Sequence, residues 1–513
     1  MSLRNRKSDL DGLFSGETPE RAIIDIGSNT VRLVVYGGSM RAPRILLNEK
    51  VAARLGRDIA QTGELAEEAV DLANRGMERY ALVLSDLGIS KVDVMATAAV
   101  REAANGRDFI DHLRALGFSP RILSGEEEAC TSAWGVLGAF PGAKGMVADL
   151  GGGSLELVDI GDDKPGNAIS LPIGTLRLPG LADDKEGLKK ALEKILRKAD
   201  VGKANGSLYL VGGTLRAMAV YAMEKAGTPL TDPHGLSLPY DDALALAKRL
   251  IDVSAEELRA MPRISSMRAD MLPEAAVLMT VLLKHLKPGR VIVSAWGLRE
   301  GLLFSELADH AKRRDPLLAG VAHFAAQRGA PPLLATRVAS WTVGALPAGT
   351  QGTERLRLAA TMLSLAAMQI EPNLRLRQGV EWSLHKRWIA IDPLGRAMMA
   401  AAICGNGNET NLPDELHALA DEQSLEEALC WGLATRLCRR LGGRSRTSLE
   451  ASNLRLEGDE LVLRLRRDRA ALFGVPNEKD LVLLADRLKV GARMEVVETL
   501  DPLMPSASEP VSL

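Results

Sequence analysis

The residues of this chain best suited to chemistry are an aspartate and a glutamate flanking three glycines, in Asp149-Leu150-Gly151-Gly152-Gly153-Ser154-Leu155-Glu156. The apolar run Met146-Val147-Ala148 leads in and Leu157-Val158-Asp159-Ile160 leads out, which reads as strand, tight turn, strand. Three glycines free the backbone to take positive φ and remove every Cβ from the bend. Successive N–H groups can then point into one concavity, which suits a phosphate. The two acids do not bind phosphate directly. They fit if a cation lies between them and the anion, or if one of them positions a water.

The same plan occurs earlier, in Ile23-Ile24-Asp25-Ile26-Gly27-Ser28-Asn29-Thr30 followed by Val31-Arg32-Leu33-Val34-Val35. Asp25 aligns with Asp149, Gly27 with Gly151 and Thr30 with Ser154, while Arg32 stands where the second copy has Glu156. One glycine hairpin is usually only a turn. Two with the same Asp-x-Gly spacing predict two related half-domains facing one ligand.

Other residues carry possible chemistry beside a plainer reading. Ser124 and Glu127 have capping-box spacing, and acids such as Glu126, Glu127 and Glu128 favour a helix N-terminus. Arg32 and Arg101 can fork onto phosphate oxygens, although a single arginine is usually a surface ion pair. Asp25 can end its strand as an Asx turn as readily as it can meet a metal. Arg436, Arg439, Arg440, Arg444 and Arg446, then Arg464, Arg466, Arg467 and Arg469, form a basic stretch whose default is a solvated face. A long polyanion would need such a track.

The elements that must position these residues follow from periodicity. A hairpin opens at Ala22, and Ala66 to Leu87 is helical until Gly88. Val92 to Val100 reads as a strand, Phe109 to Leu116 as a short helix and Arg121 to Leu123 as a strand. Ser124 opens the next helix. The second half repeats the plan, with a strand at Leu208 to Val211 running into Gly212-Gly213-Thr214 and another at Val291 to Val293 before Ser294-Ala295-Trp296-Gly297. This order predicts mixed sheets flanked by helices. A boundary falls at His310-Ala311-Lys312-Arg313-Arg314-Asp315-Pro316. Residues 316–440 read as helical, 453–466 as a hairpin about a Gly-Asp turn, Lys479 to Leu488 as a helix and Met494 to Thr499 as a strand.

A chain of 513 residues is too long for one core and implies several domains. With 4% aromatic residues the cores must be built mostly of Ala, Leu and Val. A formal net charge of −2 requires any polyanion to be held by a local basic patch, and argues against nucleic acid as a partner. Cys130, Cys404, Cys430 and Cys438 show no metal or disulfide spacing and read as buried thiols in a reducing cytoplasm. No run approaches a membrane span, and the first residues carry no apolar signal segment.

The two loops are similar to the phosphate loops of the acetate-kinase, actin and heat-shock-ATPase superfamily. Together with Ala96-Thr97-Ala98-Ala99-Val100-Arg101, Ser124-Gly125-Glu126-Glu127-Glu128-Ala129, Ile173-Gly174-Thr175-Leu176-Arg177, Gly212-Gly213-Thr214 and Gly297-Leu298-Arg299-Glu300-Gly301, they make the chain resemble the Ppx/GppA phosphatases over residues 20–305. That resemblance implies an α/β fold with two actin-like (ribonuclease-H-like) half-domains facing a cleft, then a helical HD-like domain and a small α+β domain. The expected boundaries are a disordered lead at 1–20, half-domains at 21–140 and 141–312, a helical domain at 313–442, an α+β domain at 443–500 and a mobile tail at 501–513. The HD-like domain is expected to be non-catalytic, because Leu358 to Leu365 offers no adjacent His-Asp and His323 and His385 stand apart.

The resemblance further implies a cytoplasmic, homodimeric exopolyphosphatase that processively removes terminal phosphate from inorganic polyphosphate. A pppGpp phosphohydrolase is the nearest alternative, and an actin-like or sugar-kinase ATPase the rival. It assigns water activation to the middle acid of the triplet, Glu127, assisted by Glu156. Mg²⁺ would sit among Asp149, Glu156 and Asp25, with a monovalent cation such as K⁺ as a further candidate. Phosphate would be held by Gly27, Ser28, Asn29, Thr30, Arg32, Arg101, Gly151, Gly152, Gly153 and Ser154.

Overall fold

The computed structural model describes residues 19–500 except 348–352. The expected mobile tail and all of the expected lead but Pro19 and Glu20 lie outside the described residues. The chain divides into two compact units. The first comprises residues up to 227 and 232–313, and the second residues 228–231 and 314 onward.

The first unit holds two sheets of one plan. In the first, β1 (Pro19–Ile26), β2 (Val31–Gly37) and β3 (Arg44–Val51) run antiparallel, and β4 (Val92–Ala96) and β5 (Pro120–Ile122) extend β1 in parallel, giving the order β3-β2-β1-β4-β5. In the second, β6 (Gly145–Leu150), β7 (Leu155–Gly161) and β8 (Lys164–Leu171) form the antiparallel half, with β9 (Ser207–Val211) and β11 (Arg290–Val293) parallel beside β6. The short β10 (Ser237–Pro239) closes the edge, giving β10-β11-β9-β6-β7-β8. Strand by strand, β6, β7, β8, β9 and β11 repeat β1 to β5. The mixed sheets flanked by helices are those expected, and the duplication read from the two loops extends to whole sheets. The edge strands β3 and β8 were not anticipated: each is half exposed, and β3 carries only the short apolar run Ile45-Leu46-Leu47.

Helices α1 (Glu67–Asp86) and α2 (Gly106–Ala115) cover the outer face of the first sheet, burying Ala73, Met77, Tyr80, Phe109 and Leu113 against Ile24, Ile26 and Leu33. The outer face of the second sheet is covered by α4 (Lys185–Lys198), α5 (Gly213–Ala226), α6 (Tyr240–Ile251) and α7 (Ser266–Leu286). Strand alternation sends neighbouring residues to opposite faces. Ile23, Val34 and Tyr36 therefore pack inward on Leu303 of α8 (Leu298–Ser305), and Val147 and Val158 pack inward on Ala129, Ala133 and Val136 of α3 (Gly125–Ala139).

Helices α3 and α8 thus form the layer between the sheets, and they touch backbone to backbone. A Cβ on Gly301 would stand 1.8 Å from the Thr131 carbonyl oxygen, and one on Gly135 would stand 2.3 Å from that of Gly297. Helix α3 shows no apolar stripe because it is enclosed on nearly all sides by Ala, Gly and Ser packing. The strand expected over 92–100 ends at Ala96. There the Thr97 N–H crosses to the Ile26 carbonyl (3.1 Å) and a one-turn helix, Ala98–Glu102, begins.

The second unit is a helical array, α9 (Pro316–Ala326), α10 (Pro332–Val343), α11 (Thr353–Ala367), α12 (Arg375–His385), α13 (Pro393–Gly407) and α14 (Glu422–Gly442). It ends in a sheet of β12 (Ser452–Glu457), β13 (Glu460–Arg466) and β14 (Gly491–Val497). The β12–β13 hairpin turns at Gly458 (φ 58°), and α15 (Val475–Leu488) is the crossover that lets β14 pair with β13 in parallel. The Trp341 indole N–H donates to Ser452 Oγ (2.9 Å), tying helices to sheet. Residues Leu358 to Leu365 lie inside α11, and no group of His, Cys, Asp and Glu among the described residues gathers as a metal site. All four cysteines are free thiols, and no described helix is long and apolar enough to cross a membrane.

Replacing Gly301 by Ala should lower the stability of the first unit by at least the ~1–3 kcal/mol of core overpacking. Gly161→Ala, whose Cβ would meet nothing within 4 Å, should stay within ~0.5 kcal/mol. Thermal denaturation of the two variants side by side measures the difference.

Candidate active site

A cleft of about 310 Å³ in the first unit is lined by residues of both sheets and both inner helices. Its centre is the pair of loops. The Gly27 N–H donates to the Thr30 carbonyl and the Gly151 N–H to that of Ser154, each at 3.0 Å, so the two turns are closed alike. Each is braced from behind in the same manner. Arg54 and Gly56 donate to the Asn29 and Ser28 carbonyls (3.1 and 2.9 Å), while Thr175 and Leu176 donate to those of Gly151 and Gly152 (3.1 and 2.9 Å). This explains Ile173-Gly174-Thr175: a Cβ on Gly174 would meet the Gly152 carbonyl oxygen and the Ser154 nitrogen at 2.4 Å.

With the carbonyls bound from behind, the N–H groups of Ser28, Asn29, Thr30, Gly152, Gly153 and Ser154 donate to no backbone acceptor, and all six residues line the cleft. Such a set of donors is an anion cradle. The glycines serve it differently from the sequence expectation. None of Gly151, Gly152 and Gly153 has positive φ. They are required because the loops meet face to face: a Cβ on Gly153 would lie 2.7 Å from Ser28 Oγ, and one on Gly152 would lie 3.1 Å from Ser28 Cβ.

Five carboxyl groups line the same cleft: Asp25, Glu128, Asp149, Glu156 and Glu300. Burial raises the Asp25 carboxyl, opposed by Arg299 and Arg32. Burial also raises Asp149, although Ser132 Oγ donates to its Oδ2 at 2.5 Å, and Asp25 adds to the rise. Glu156 accepts from Ser170 Oγ (2.8 Å) and is pushed well up by burial and by the charges of Glu128 and Asp149. Burial lifts Glu128 to about 7 against the pull of Arg101, whose Nη1 donates to its Oε2 at 3.1 Å.

Arg32, Arg216, Arg268 and Arg299 supply the positive charge. Arg32 Nε is buried and donates to nothing. Burial lowers Arg32 and Arg268, and Arg299 lowers Arg32 further. Burial works against the charged form of Arg299 too, but Glu300, Tyr36, Asp25 and Asp149 outweigh it. Glu300 is itself fixed by the Tyr36 hydroxyl (2.7 Å) and the Gly297 N–H (3.3 Å). Gly213, at the start of α5, is small because Arg268 Nη2 would stand 2.7 Å from its Cβ.

The structure brings together every loop residue expected to hold phosphate: Gly27, Ser28, Asn29, Thr30, Arg32, Gly151, Gly152, Gly153 and Ser154. Asp25, Asp149 and Glu156 line the same cleft. Two expectations are corrected. Glu127 does not reach the cleft. Its Oε2 accepts from the Ser124 N–H (2.8 Å), the Ser124 Oγ accepts from its own N–H (3.1 Å), and half of its side chain is exposed. The capping box is therefore the role of Glu127, and the inward acid is Glu128, one helical turn before Ser132. Arg101 does not line the cleft either. Its Nη1 is committed to the Leu123 carbonyl (2.6 Å) and to Glu128. Sequence reasoning passed over Arg268 and Arg216, and read Glu128 only as an acid of the helix N-terminus. Only Glu128 had a usable signal, since a capping-box acid is occupied by its own helix and leaves its neighbour to face inward.

Two braced loops with free N–H groups and enclosed carboxyls, on paired sheets of one plan, define an α/β protein with a cleft suited to an anion. Residues 34–310 match the Ppx/GppA phosphatase family, and the chain belongs to it. It is 28% identical over 309 residues to exopolyphosphatase 1 of Mycobacterium leprae, covering 56% of this chain and 90% of that one. It is 28% identical over 335 residues to retrograde regulation protein 2 of Saccharomyces cerevisiae, where it spans 57% of the relative's length. Among solved structures, an exopolyphosphatase from Cytophaga hutchinsonii superposes with a TM-score of 0.51 at 26% identity, over 55% of this chain and 96% of that one.

The raised Glu128 carboxyl sets a pH dependence of stability. Its contribution is full below about 4.5 and is lost as pH rises through about 7, because the unfolded chain gives up the proton first. Glu128→Gln should therefore be more stable than the parent above pH 7 and converge with it near pH 4.5. Part of the slope should persist from Glu156. Denaturant unfolding from pH 4.5 to 8 in chelator-treated buffer tests this.

Proposed function

We propose that the chain hydrolyses the terminal phosphoanhydride of inorganic polyphosphate, with Glu128 as the base that activates water. The observation carrying this reading is the placement of Glu128. It is the acid of the triplet that lines the cleft holding both loops, and its carboxyl is held near neutrality. A base is most effective when its pKa lies near the working pH. Phosphoryl transfer asks chiefly for positioning and charge stabilisation. The loop N–H groups, Arg32 and Arg268 receive the terminal phosphate. Glu128 takes the proton of the attacking water, and Arg101 positions Glu128 without touching substrate.

The donor set fits Mg²⁺. Asp25 and Asp149 are oxygen donors whose raised carboxyls a cation would relieve. No three protein ligands converge among the described residues, as expected for an ion that keeps several waters and takes one or two carboxylates with phosphate oxygens. Asp25 and Asp149 would hold it, with Glu156 beside them. When bound, the ion supplies charge neutralisation at the phosphate oxygens.

Polyphosphate is favoured over pppGpp because, among the described residues, no aromatic side chain lines the cleft to stack a guanine base. Phosphate release from polyphosphate, pppGpp and ATP, compared directly, tests the assignment, and binding without turnover of any of them would leave a regulatory role. Glu128→Gln should lose ~10²–10⁴-fold in kcat with KM nearly unchanged, as removal of a general base does. Glu127→Gln should stay near parental turnover. The reverse ranking would return catalysis to Glu127. Asp149→Asn should raise the Mg²⁺ concentration needed for half-maximal rate, read from a metal titration.

A further inference from the structure

A second charged site lies in the second unit. Arg436, Arg439 and Arg440 share one face of the last turns of α14, at the i, i+3, i+4 spacing that makes side chains neighbours. The charges acting most strongly on Arg439 are four other guanidinium groups: Arg436, Arg375, Arg440 and Arg444. Arg375 opens α12, and Arg444 follows the α14 cap with φ 68°, a backbone state that only firm surroundings sustain in a residue with a side chain.

One carboxylate answers this cluster. Asp480 of α15 is almost fully buried, and its Oδ1 accepts from Arg436 Nε (3.0 Å) and Arg440 Nη1 (2.9 Å). Arg439 Nε and Arg444 Nη1 are buried and donate to nothing. Burial and the neighbouring arginines push the Arg439 guanidinium down to about 10.

Most of the rest of the basic stretch is neutralised, Arg469 being the exception, with Asp468 at 3.7 Å shared with Arg466. Arg446 pairs with Glu450 (2.6 Å), Arg464 with Glu457 and Glu495 (2.5 and 2.7 Å), Arg466 with Asp468 (2.5 Å), and Arg467 with Glu498. In α14 and its cap the basic track read from the sequence therefore contracts to Arg439 and Arg444, with Arg436 and Arg440 paired to Asp480, and Arg375 of α12 adds its charge beside them.

We propose that this cluster is an anion site for a phosphate-bearing ligand, separate from the residues of the cleft, in which Arg439 and Arg444 donate their buried N–H groups to phosphate oxygens. Guanidinium forks match phosphate geometry and are less costly to desolvate than ammonium groups. The ligand is orthophosphate or a polyphosphate segment, which share that chemistry. The inference does not rest on the hydrolytic reading, because it needs binding alone.

The test uses the full chain in Mg²⁺-free, chelator-treated buffer, with thermal shift and equilibrium dialysis as readouts. Arg32→Gln/Arg268→Gln disables the cleft, and Arg439→Gln/Arg444→Gln disables the proposed site. In the cleft variant, saturable binding of tripolyphosphate should persist. Adding the second pair of substitutions should weaken it at least tenfold, and Arg439→Lys/Arg444→Lys should recover only part. Equal stabilisation by orthophosphate assigns a simple phosphate site, and stabilisation that grows with chain length assigns a polyphosphate segment. Identical binding with and without Arg439 and Arg444 overturns the proposal. Without anion, Arg439→Gln/Arg444→Gln should melt at or above the parental temperature, since it relieves repulsion. A lower melting temperature there would show that the arginines already have structural partners, and would also overturn it. Loss of hydrolysis alone would bear on the cleft and leave this site untouched.

Discussion

The architecture of the first unit depends on one contact, the backbone approach of α3 and α8 through Gly135 and Gly301. Helices normally pack 8–10 Å apart, at a distance set by the side chains between them. Here a hydrogen is the only side chain at the crossing, so the sheets riding on the outer faces of the two helices are drawn together. The geometry of the cleft follows. Helix α3 delivers Glu128 from its first turn and Ser132, one turn on, to hold Asp149. Helix α8 delivers Gly297, Arg299 and Glu300 from its N-terminus. A wider crossing would separate the acids from the loops.

The duplicated sheets make a cleft whose two sides differ in charge. Both loops are closed by the same turn and braced by the same pair of hydrogen bonds. The residue two beyond the turn is Arg32 in one copy and Glu156 in the other, facing Asp25 and Asp149 across their hairpins. One copy thereby supplies positive charge and the other keeps two acids side by side. Enclosure raises the Asp25, Glu128, Asp149 and Glu156 carboxyls and lowers Arg32 and Arg268. Each group is thus held away from its most stable solution state, as is common where a fold prepares a site for a charged ligand.

Much of this was legible in the sequence. Strand alternation around Gly27 and Gly151, and the matching Asp-x-Gly spacing, identified two half-domains and the loop residues that line the cleft. The capping spacing of Ser124 and Glu127 was equally plain. What sequence did not carry was direction: on a helix buried nearly all round, three consecutive glutamates point three ways, and no apolar stripe shows which one faces inward.

The sequence by itself determined the local elements, the internal repeat and the loop chemistry, because these depend on neighbours within a few residues. Tertiary structure decided the rest. It turned Glu128 rather than Glu127 to the cleft, committed Arg101 to that carboxylate, and brought Arg268 from α7 to a loop more than a hundred residues away in sequence. It made the glycines of the second loop necessary through the approach of Ser28 rather than through positive φ. It also paired Arg436 and Arg440 with Asp480, Arg464 with Glu495 and Arg467 with Glu498, leaving Arg439 and Arg444 unanswered. Each of these outcomes rests on contacts between segments distant in the chain, and residue type at a single position does not specify them.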